Sequence, residues 1–463
     1  MKLLIKSVAF LLLAAAIVKA QAPQKVNPPD DRYKVDILVV VAHPDDEAFF
    51  TPYVAKAVYD MHKRVAVIFS THGGSGVNRF TQERGPAMAN EREIEARDAC
   101  ARLGIKNVWF LDGKDTASQN VLNSLSNWGH GANLERLVGL VRLTRPDIIF
   151  THFPGVFIGE NHGDHQATGV LSIEAFDLAA NPTVFPSQLA GDMNHYESYL
   201  SNLQTWQPKK IYFGSDAMDS NQFNGSGPTY SVREISPSQK KPYWRIAIDS
   251  AMAHRTQFPD DIDRLSKMSD AELEKTMTDP NSAWWSEPST LIFGKSYYVS
   301  KPTDDVFSNL DTGVVANALA PTAEGPAEKP KVILGGPWGF YDEFRKWHHL
   351  ENIHVVNPPE IGIKMGTTLS VPLTITHDAT KPMEVLINVE APQGWKVTNG
   401  AGKLLLPAEA KTNLRIEIET PVLNAAELKN DKPQLVKVKF GGEGLQDQEI
   451  LLNVLLRSRA LPQ

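Results

Sequence analysis

Residues 35–42, Val-Asp-Ile-Leu-Val-Val-Val-Ala, are apolar at all but one position and do not alternate. That is the pattern of a strand covered on both faces. Short apolar runs of the same kind recur at 65–70, 107–111, 147–151 and 210–213. Helical patterns at 47–63, 86–103, 134–144 and 165–180 lie between them. The alternation predicts an α/β fold, a Rossmann-like and mostly parallel sheet with helices on both faces. A further long helix is predicted over 237–258 and a late strand over 291–300. The stretch 316–331, "ANALAPTAEGPAEKPK", has the composition of an inter-domain linker. Beyond it "LSVPLTITHD", "MEVLINVEAP", "NLRIEIETP", "LVKVKF" and "EILLNVLL" are period-2 strands separated by Pro and Gly turns, which predicts a β-sandwich.

The ends of the chain refine this division. "MKLLIKSVAFLLLAAAIVKAQA" pairs early lysines with an apolar stretch and then small residues, and Val18-Lys19-Ala20 suits cleavage after Ala20. The apolar stretch is about eleven residues, against the roughly 20 that span a bilayer. The expectation is a signal peptide at 1–20, a secreted or periplasmic mature protein, and no transmembrane anchor after cleavage. An α/β domain at 31–315, a linker at 316–331 and an aromatic-rich segment leading into the sandwich at 332–463 complete the division. That boundary predicts that the α/β domain folds without the segment 332–463.

Composition changes the picture only by exclusion. With 42% hydrophobic and 22% charged residues over 463 positions, the chain is an ordinary globular protein. Its net charge is −7 and no basic tract occurs, so nucleic acid is not an expected partner. The single cysteine, Cys100, excludes an intramolecular disulfide and sits in a helical pattern as a small core residue. Nothing in the pattern bears on oligomeric state.

The chemistry gathers where strands end. In open parallel sheets ligands bind beyond the carboxyl ends of the strands. There the first strand gives way to His43-Pro44-Asp45-Asp46-Glu47, and a later strand is followed by "NHGDHQ" at 161–166. No G-x-G-x-x-G follows the first strand, which disfavours the usual dinucleotide site. Helix capping by Asp45 or Asp46, with Pro44 at the helix entry, would explain one such cluster. It does not explain two converging on one sheet edge. Two imidazoles and a carboxylate with open positions make a catalytic divalent-metal site, with Zn²⁺ the default and Fe²⁺ sharing the ligand set. One aspartate should ligate while its neighbour faces the reacting water as general base; the spacing leaves open which does which.

"AHPDDE", followed more than a hundred residues later by "HGDHQ", resembles the PIG-L/LmbE-type de-N-acetylases, metal-dependent hydrolases of N-acetylglucosamine-type sugars; the likeness runs over roughly 35–300. The resemblance implies His43, Asp46 and His165 as metal ligands, Asp45 as general base, and His162 as the group that stabilises the oxyanion or protonates the leaving group. It also implies Arg92, in "REIEARDACARLG", and His254 and Gln257, in "AHRTQ", as substrate-binding or supporting residues. This chain departs from the family at Phe153, where Asp is commoner, and at Gly163, where Pro is common. The segment 391–421 is similar to NEW3-type domains attached to some bacterial glycosidases. The implied activity is removal of an N-acetyl group from an N-acetylglucosamine-type sugar or glycoconjugate, with an N-acetylated amino sugar as the partner. The alternatives are a non-haem Fe(II) oxygenase and a non-catalytic carbohydrate-binding protein on the same fold. His72, His130 and His152 read as satisfied polar residues, Asp115 as a turn residue, and Trp128, Trp284 and Trp285 as packing residues.

Overall fold

Strand β1 (Ile37–Val41) is flanked by β2 (Val65–Thr71) and β4 (Ile148–His152), and Val39 pairs with both Val67 and Phe150. With β3 (Asn107–Gly113) and β5 (Lys210–Gly214) they form a parallel array in the order β3-β2-β1-β4-β5. The predicted late strand is β6 (Ile292–Ser296), which closes the sheet as an antiparallel edge on β5. The structure is a computed structural model that describes residues 30–116, 120–155, 162–190, 198–214, 223–278, 285–311, 330–355, 358–424, 432–445 and 448–458. The expected signal peptide, nearly all of the expected linker, and Trp284 lie outside the described residues.

The lack of alternation in β1 has a direct cause. Leu38 and Val40 enter one hydrophobic cluster with Leu137 and Val141 of α4 (His130–Thr144) and Val170 and Ile173 of α5 (Gly163–Leu178). Ile37, Val39 and Val41 enter another, with Val54 and Ala57 of α1 (Thr51–Tyr59) and Ala96 and Cys100 of α2 (Pro86–Arg102). Each face has its own helical cover, so every position of the strand is apolar. The eight-residue α3 (Val121–Trp128), which is not among the predicted helices, adds Leu125 and Trp128 to the first cluster. Asn120 caps it by accepting the Leu122 N–H, and Gly129 ends it in a left-handed conformation.

Two expected helices differ in the structure. The helix predicted over 47–63 is divided into a 3₁₀ turn, Asp46–Phe49, and α1. The one predicted over 237–258 is only α6 (Tyr243–Ala251); Pro242 fixes its entry, and 254–257 stand in turns before α7 (Pro259–Ser266). A proline at the start of α7 disfavours helical geometry in the residue before it, so the two helices do not merge.

Toward the C-terminus, two sheets enclose one core. Lys331–Leu334, Thr368–His377, Ala410–Glu419 and Lys396–Asn399 form one sheet. Glu360–Lys364, Glu449–Arg457, Gln434–Gly441, Met383–Glu390 and Gly402–Leu406 form the other. Leu369, Val371 and Leu373 of the first sheet meet Val385, Val436 and Val454 of the second, the inner faces of a β-sandwich. Between this sandwich and the α/β sheet lies helix Gly336–Trp347. Its Tyr341 and Phe344, with Leu350 and Ile353 after it, are buried in the α/β core. The core of the α/β unit therefore extends beyond the boundary expected at 316–331.

Candidate active site

The chain leaves β1 with Ala42, whose carbonyl accepts the Thr71 N–H at 2.9 Å and ties the ends of β1 and β2 together. His43 follows, then Asp45 at φ +123°, then the 3₁₀ turn that begins with Asp46. This turn sends two neighbouring carboxylates to different partners. Asp46 Oδ2 accepts the His43 main-chain N–H at 2.7 Å and lies 3.1 Å from His43 Nδ1 and 3.2 Å from His165 Nε2. The two imidazole nitrogens are themselves 3.3 Å apart. Asp45 turns away, and its Oδ1 is 3.0 Å from Arg92 Nη2.

His43 Nδ1, Asp46 Oδ2 and His165 Nε2 thus form a nearly equilateral triangle of donor atoms. Ligands bound at roughly 2.0–2.1 Å around a tetrahedral ion stand about 3.3–3.4 Å apart, so the observed edges fit a first-row divalent cation. The side chains are almost wholly buried, with residue exposures of 7% for His43, 7% for Asp46 and 3% for His165. Two carboxylates face the other side of the His43 ring, Asp115 Oδ1 and Asp164 Oδ2, each 3.5 Å from Nε2. They favour the ring proton on Nε2 and leave Nδ1 free to ligate. Asp164 is in turn held by the Thr116 N–H and hydroxyl, both at 2.7 Å, and Asp115 by the Ser75 N–H at 2.7 Å.

The electrostatics agree with a cation site. Burial works against charge on Asp46, but the imidazoles of His165 and His43 outweigh it and hold the carboxyl well below its usual range. Burial lowers His165 to about 3, against the pull of Asp46. Burial, reinforced by His165 and His43, lowers His162 to about 3 as well. Burial opposes charge on His43 too, yet Asp46 and Asp115 raise its pKa well above the usual histidine range, so an entering cation would displace a proton there. Burial pushes Asp45 up to about 7, with Arg92 opposing it and Asp46 adding to it, although its side chain keeps 16% exposure.

His162 caps α5, and its Nδ1 accepts the Asp164 N–H at 3.4 Å. Its proton therefore sits on Nε2, where it can be donated. The His162 ring lies 4.2 Å from that of His165 and 5.1 Å from that of His43, between centroids.

The expected substrate residues are placed differently from one another. Arg92 is 4% exposed and binds the chain itself, donating to Gly73 O at 3.0 Å and Pro44 O at 2.5 Å besides pairing with Asp45. Gly73 must be glycine, because its φ is +69° and a Cβ there would meet Arg92 Nη1 at 2.4 Å. His254 is fully buried with Nε2 2.5 Å from Glu47 Oε1, so it supports the turn rather than facing an open site. Gln257 is half-buried and donates to Thr256 Oγ1 at 3.1 Å, beside the loop that follows β2.

One histidine must be reassigned. His152, expected to be a satisfied polar residue, stacks on His165 at 4.1 Å and 6° and lies 3.3 Å from Asp46 Oδ2. Its Nδ1 has no hydrogen-bond partner among the described residues. It reaches the cluster because β4 lies directly beside β1.

Residues 38–176 match the PIG-L family, described as GlcNAc-PI de-N-acetylase. The chain is 25% identical over 247 residues to a 1D-myo-inositol 2-acetamido-2-deoxy-alpha-D-glucopyranoside deacetylase of Thermobifida fusca, covering 48% of this chain and 82% of that protein. It is 24% identical over 239 residues to a diacetylchitobiose deacetylase of Thermococcus kodakarensis, covering 51% and 75%. Among solved structures, the N,N'-diacetylchitobiose deacetylase of Pyrococcus horikoshii aligns with a TM-score of 0.37 at 22% identity, over 49% of this chain and 73% of that one.

Proposed function

Because residues 38–176 form a domain of the PIG-L family, a family of metal-dependent de-N-acetylases, we propose that the protein is a secreted or periplasmic, zinc-dependent hydrolase that removes the N-acetyl group from an N-acetylglucosamine-type sugar or glycoconjugate. The observation that carries the reading is the triangle of His43 Nδ1, Asp46 Oδ2 and His165 Nε2, with the unligated Asp45 carboxylate on the adjoining residue. A pure binding protein has no use for an acid in that place. Zn²⁺ suits two imidazoles and one carboxylate, and when bound it would supply Lewis acidity to a water and to the acyl oxygen.

The chain's own residues account for the proton movements. Asp45 takes the proton of the attacking water as the oxygen–carbon bond forms. His162, with its proton on Nε2, donates a hydrogen bond to the oxyanion. When the carbon–nitrogen bond breaks, the amine leaves with the proton that Asp45 carried, and acetate remains. Arg92 keeps Asp45 at hand throughout. Export is supported by the pattern at 1–20, and a sugar substrate by the deacetylase names of the relatives.

A panel of N-acetylated sugars, from N-acetylglucosamine through chitobiose to longer glycans, scored for acetate and new primary amine, tests the proposal. Stoichiometric release of both from at least one sugar is expected. Amine-free turnover, or none with the metal-loaded enzyme on any sugar, contradicts it.

A further inference from the structure

We infer that Glu47 and His254 form a buried brace that holds the strained main chain at Asp45 and so aims its carboxylate, making both of them positioning residues. The inference rests on the reading of Asp45 as general base.

The strain is local. Asp45 has φ +123° and ψ −25°, a conformation that a residue with a Cβ adopts at a cost of about 1–3 kcal/mol and keeps only where its surroundings enforce it. Three contacts enforce it here. The Asp45 N–H donates to Glu47 Oε2 at 3.0 Å, Arg92 donates to the Pro44 carbonyl at 2.5 Å, and the Asp45 carbonyl accepts the Ala48 N–H at 3.0 Å. The last is a contact within the turn, and Arg92 already serves Asp45 through its side chain. Glu47 is the group that takes hold of the Asp45 N–H.

Glu47 is an unusual choice for this task. It is 3% exposed, and a buried carboxylate is costly unless each oxygen finds a donor. One oxygen holds the Asp45 N–H; the other lies 2.5 Å from Nε2 of His254, which is fully buried. Neither residue hydrogen-bonds to His43 Nδ1, Asp46 Oδ2 or His165 Nε2 among the described residues. The brace therefore acts on the base rather than on the ligand triangle.

His254 has an anchor of its own. It stands in the turn after α6, where Thr256 donates its N–H and hydroxyl to Glu95 at 2.9 and 2.6 Å. Glu95 belongs to α2, the helix that carries Arg92. One helix thus fixes Asp45 from two sides, by Arg92 at the carboxylate and through Glu95, Thr256, His254 and Glu47 at the main chain.

The test uses the full-length, metal-loaded protein and N-acetylglucosamine or diacetylchitobiose as probe. Glu47→Ala and His254→Ala should keep the metal and KM and lose kcat by about 10–100-fold, the usual effect of removing a supporting partner. Glu47→Gln keeps an oxygen for the Asp45 N–H and should recover most of that loss. In an Asp45→Asn background the same substitutions should cost nothing further, the coupling expected of residues that act through Asp45. Alanine opens buried space, so His254→Gln is read in parallel by the same criteria. Crystal structures of the variants should show Asp45 relaxed from positive φ or parted from Arg92. Lost metal, unchanged kcat, additive losses in the Asp45→Asn background, or an unmoved Asp45 would each overturn the brace. The crystallographic result needs no substrate, so a wild type that releases no acetate refutes the deacetylase reading alone.

Discussion

Ending the chain at residue 321 should unfold the α/β unit, although the linker composition marks that region as a boundary. The truncation removes Tyr341, Phe344, Leu350 and Ile353, exposed by only 4%, 6%, 1% and 0% and packed into the α/β core. At about 1.5–3 kcal/mol for each large apolar side chain, their loss is roughly 6–12 kcal/mol. A domain of this kind has about 5–15 kcal/mol in total. Tyr341 also meets the ring of Phe153 edge-on at 5.5 Å, at the end of β4 beside His152. His348 Nδ1 is 2.6 Å from Asp177, which pairs with the nearly buried Lys295 at 2.6 Å. Removing that histidine, along with the His348 carbonyl that accepts the Lys295 ammonium, leaves the pair short of partners. A chain ending at 357 keeps all of these contacts and discards the sandwich except its edge strand Lys331–Leu334. Thermal melting and metal content of the two truncated proteins and the full chain measure the difference. The 357 protein should melt cooperatively and bind metal, and the 321 protein should do neither. Full-length melting by the 321 protein would refute the argument and show that the helix at Gly336–Trp347 merely rests on the domain.

Further expectations concern the site and the Asp177 cluster. His152→Ala should weaken metal affinity by about 10–100-fold without abolishing it, as expected for a residue that packs against a ligand, and a competitive chelator titration reads this. Burial raises Asp177, but Lys295 and His348 outweigh it and hold its pKa below the ordinary value of 3.8. Its stabilising contribution is therefore complete above that value and is lost as pH falls through the lower folded one. Melting temperatures of the wild type and Asp177→Asn should differ at neutral pH and converge in strong acid. Turnover should proceed without oxygen or a 2-oxo acid, measured as acetate release in an anaerobic chamber.

Much of this arrangement is legible in the sequence, for a physical reason. A strand covered on both faces must be apolar at every position, so 35–42 stands out, and the polar residues after it can only be its carboxyl end. The two polar clusters that hold His43, Asp46 and His165 stand out because each lies next to an element with a strong pattern, and the resemblance to the PIG-L/LmbE type singles out these three within them. The parts that the sequence hides depend on distant pairing. His152 looks ordinary until β4, fourth in the chain, is seen directly beside β1. Glu47 looks like one more solvated acid after two others, and its partner His254 is 207 residues away. The aromatics at 338–347 come after a linker-like stretch and so read as the start of the next domain. The burial of Tyr341 against Phe153 is a tertiary fact with no local trace.

The most direct test of the account is metal content measured beside acetate release in Asp45→Asn and Asp46→Asn. Asp46 contributes an oxygen to the donor triangle, while Asp45 faces Arg92 3.0 Å away. Asp46→Asn should lose metal and activity together. Asp45→Asn should keep the wild-type metal content and lose activity by roughly 10²–10⁴-fold, the usual contribution of a general base. Loss of metal from Asp45→Asn with retention in Asp46→Asn would contradict the assignment, as would acetate release by Asp45→Asn at the wild-type rate.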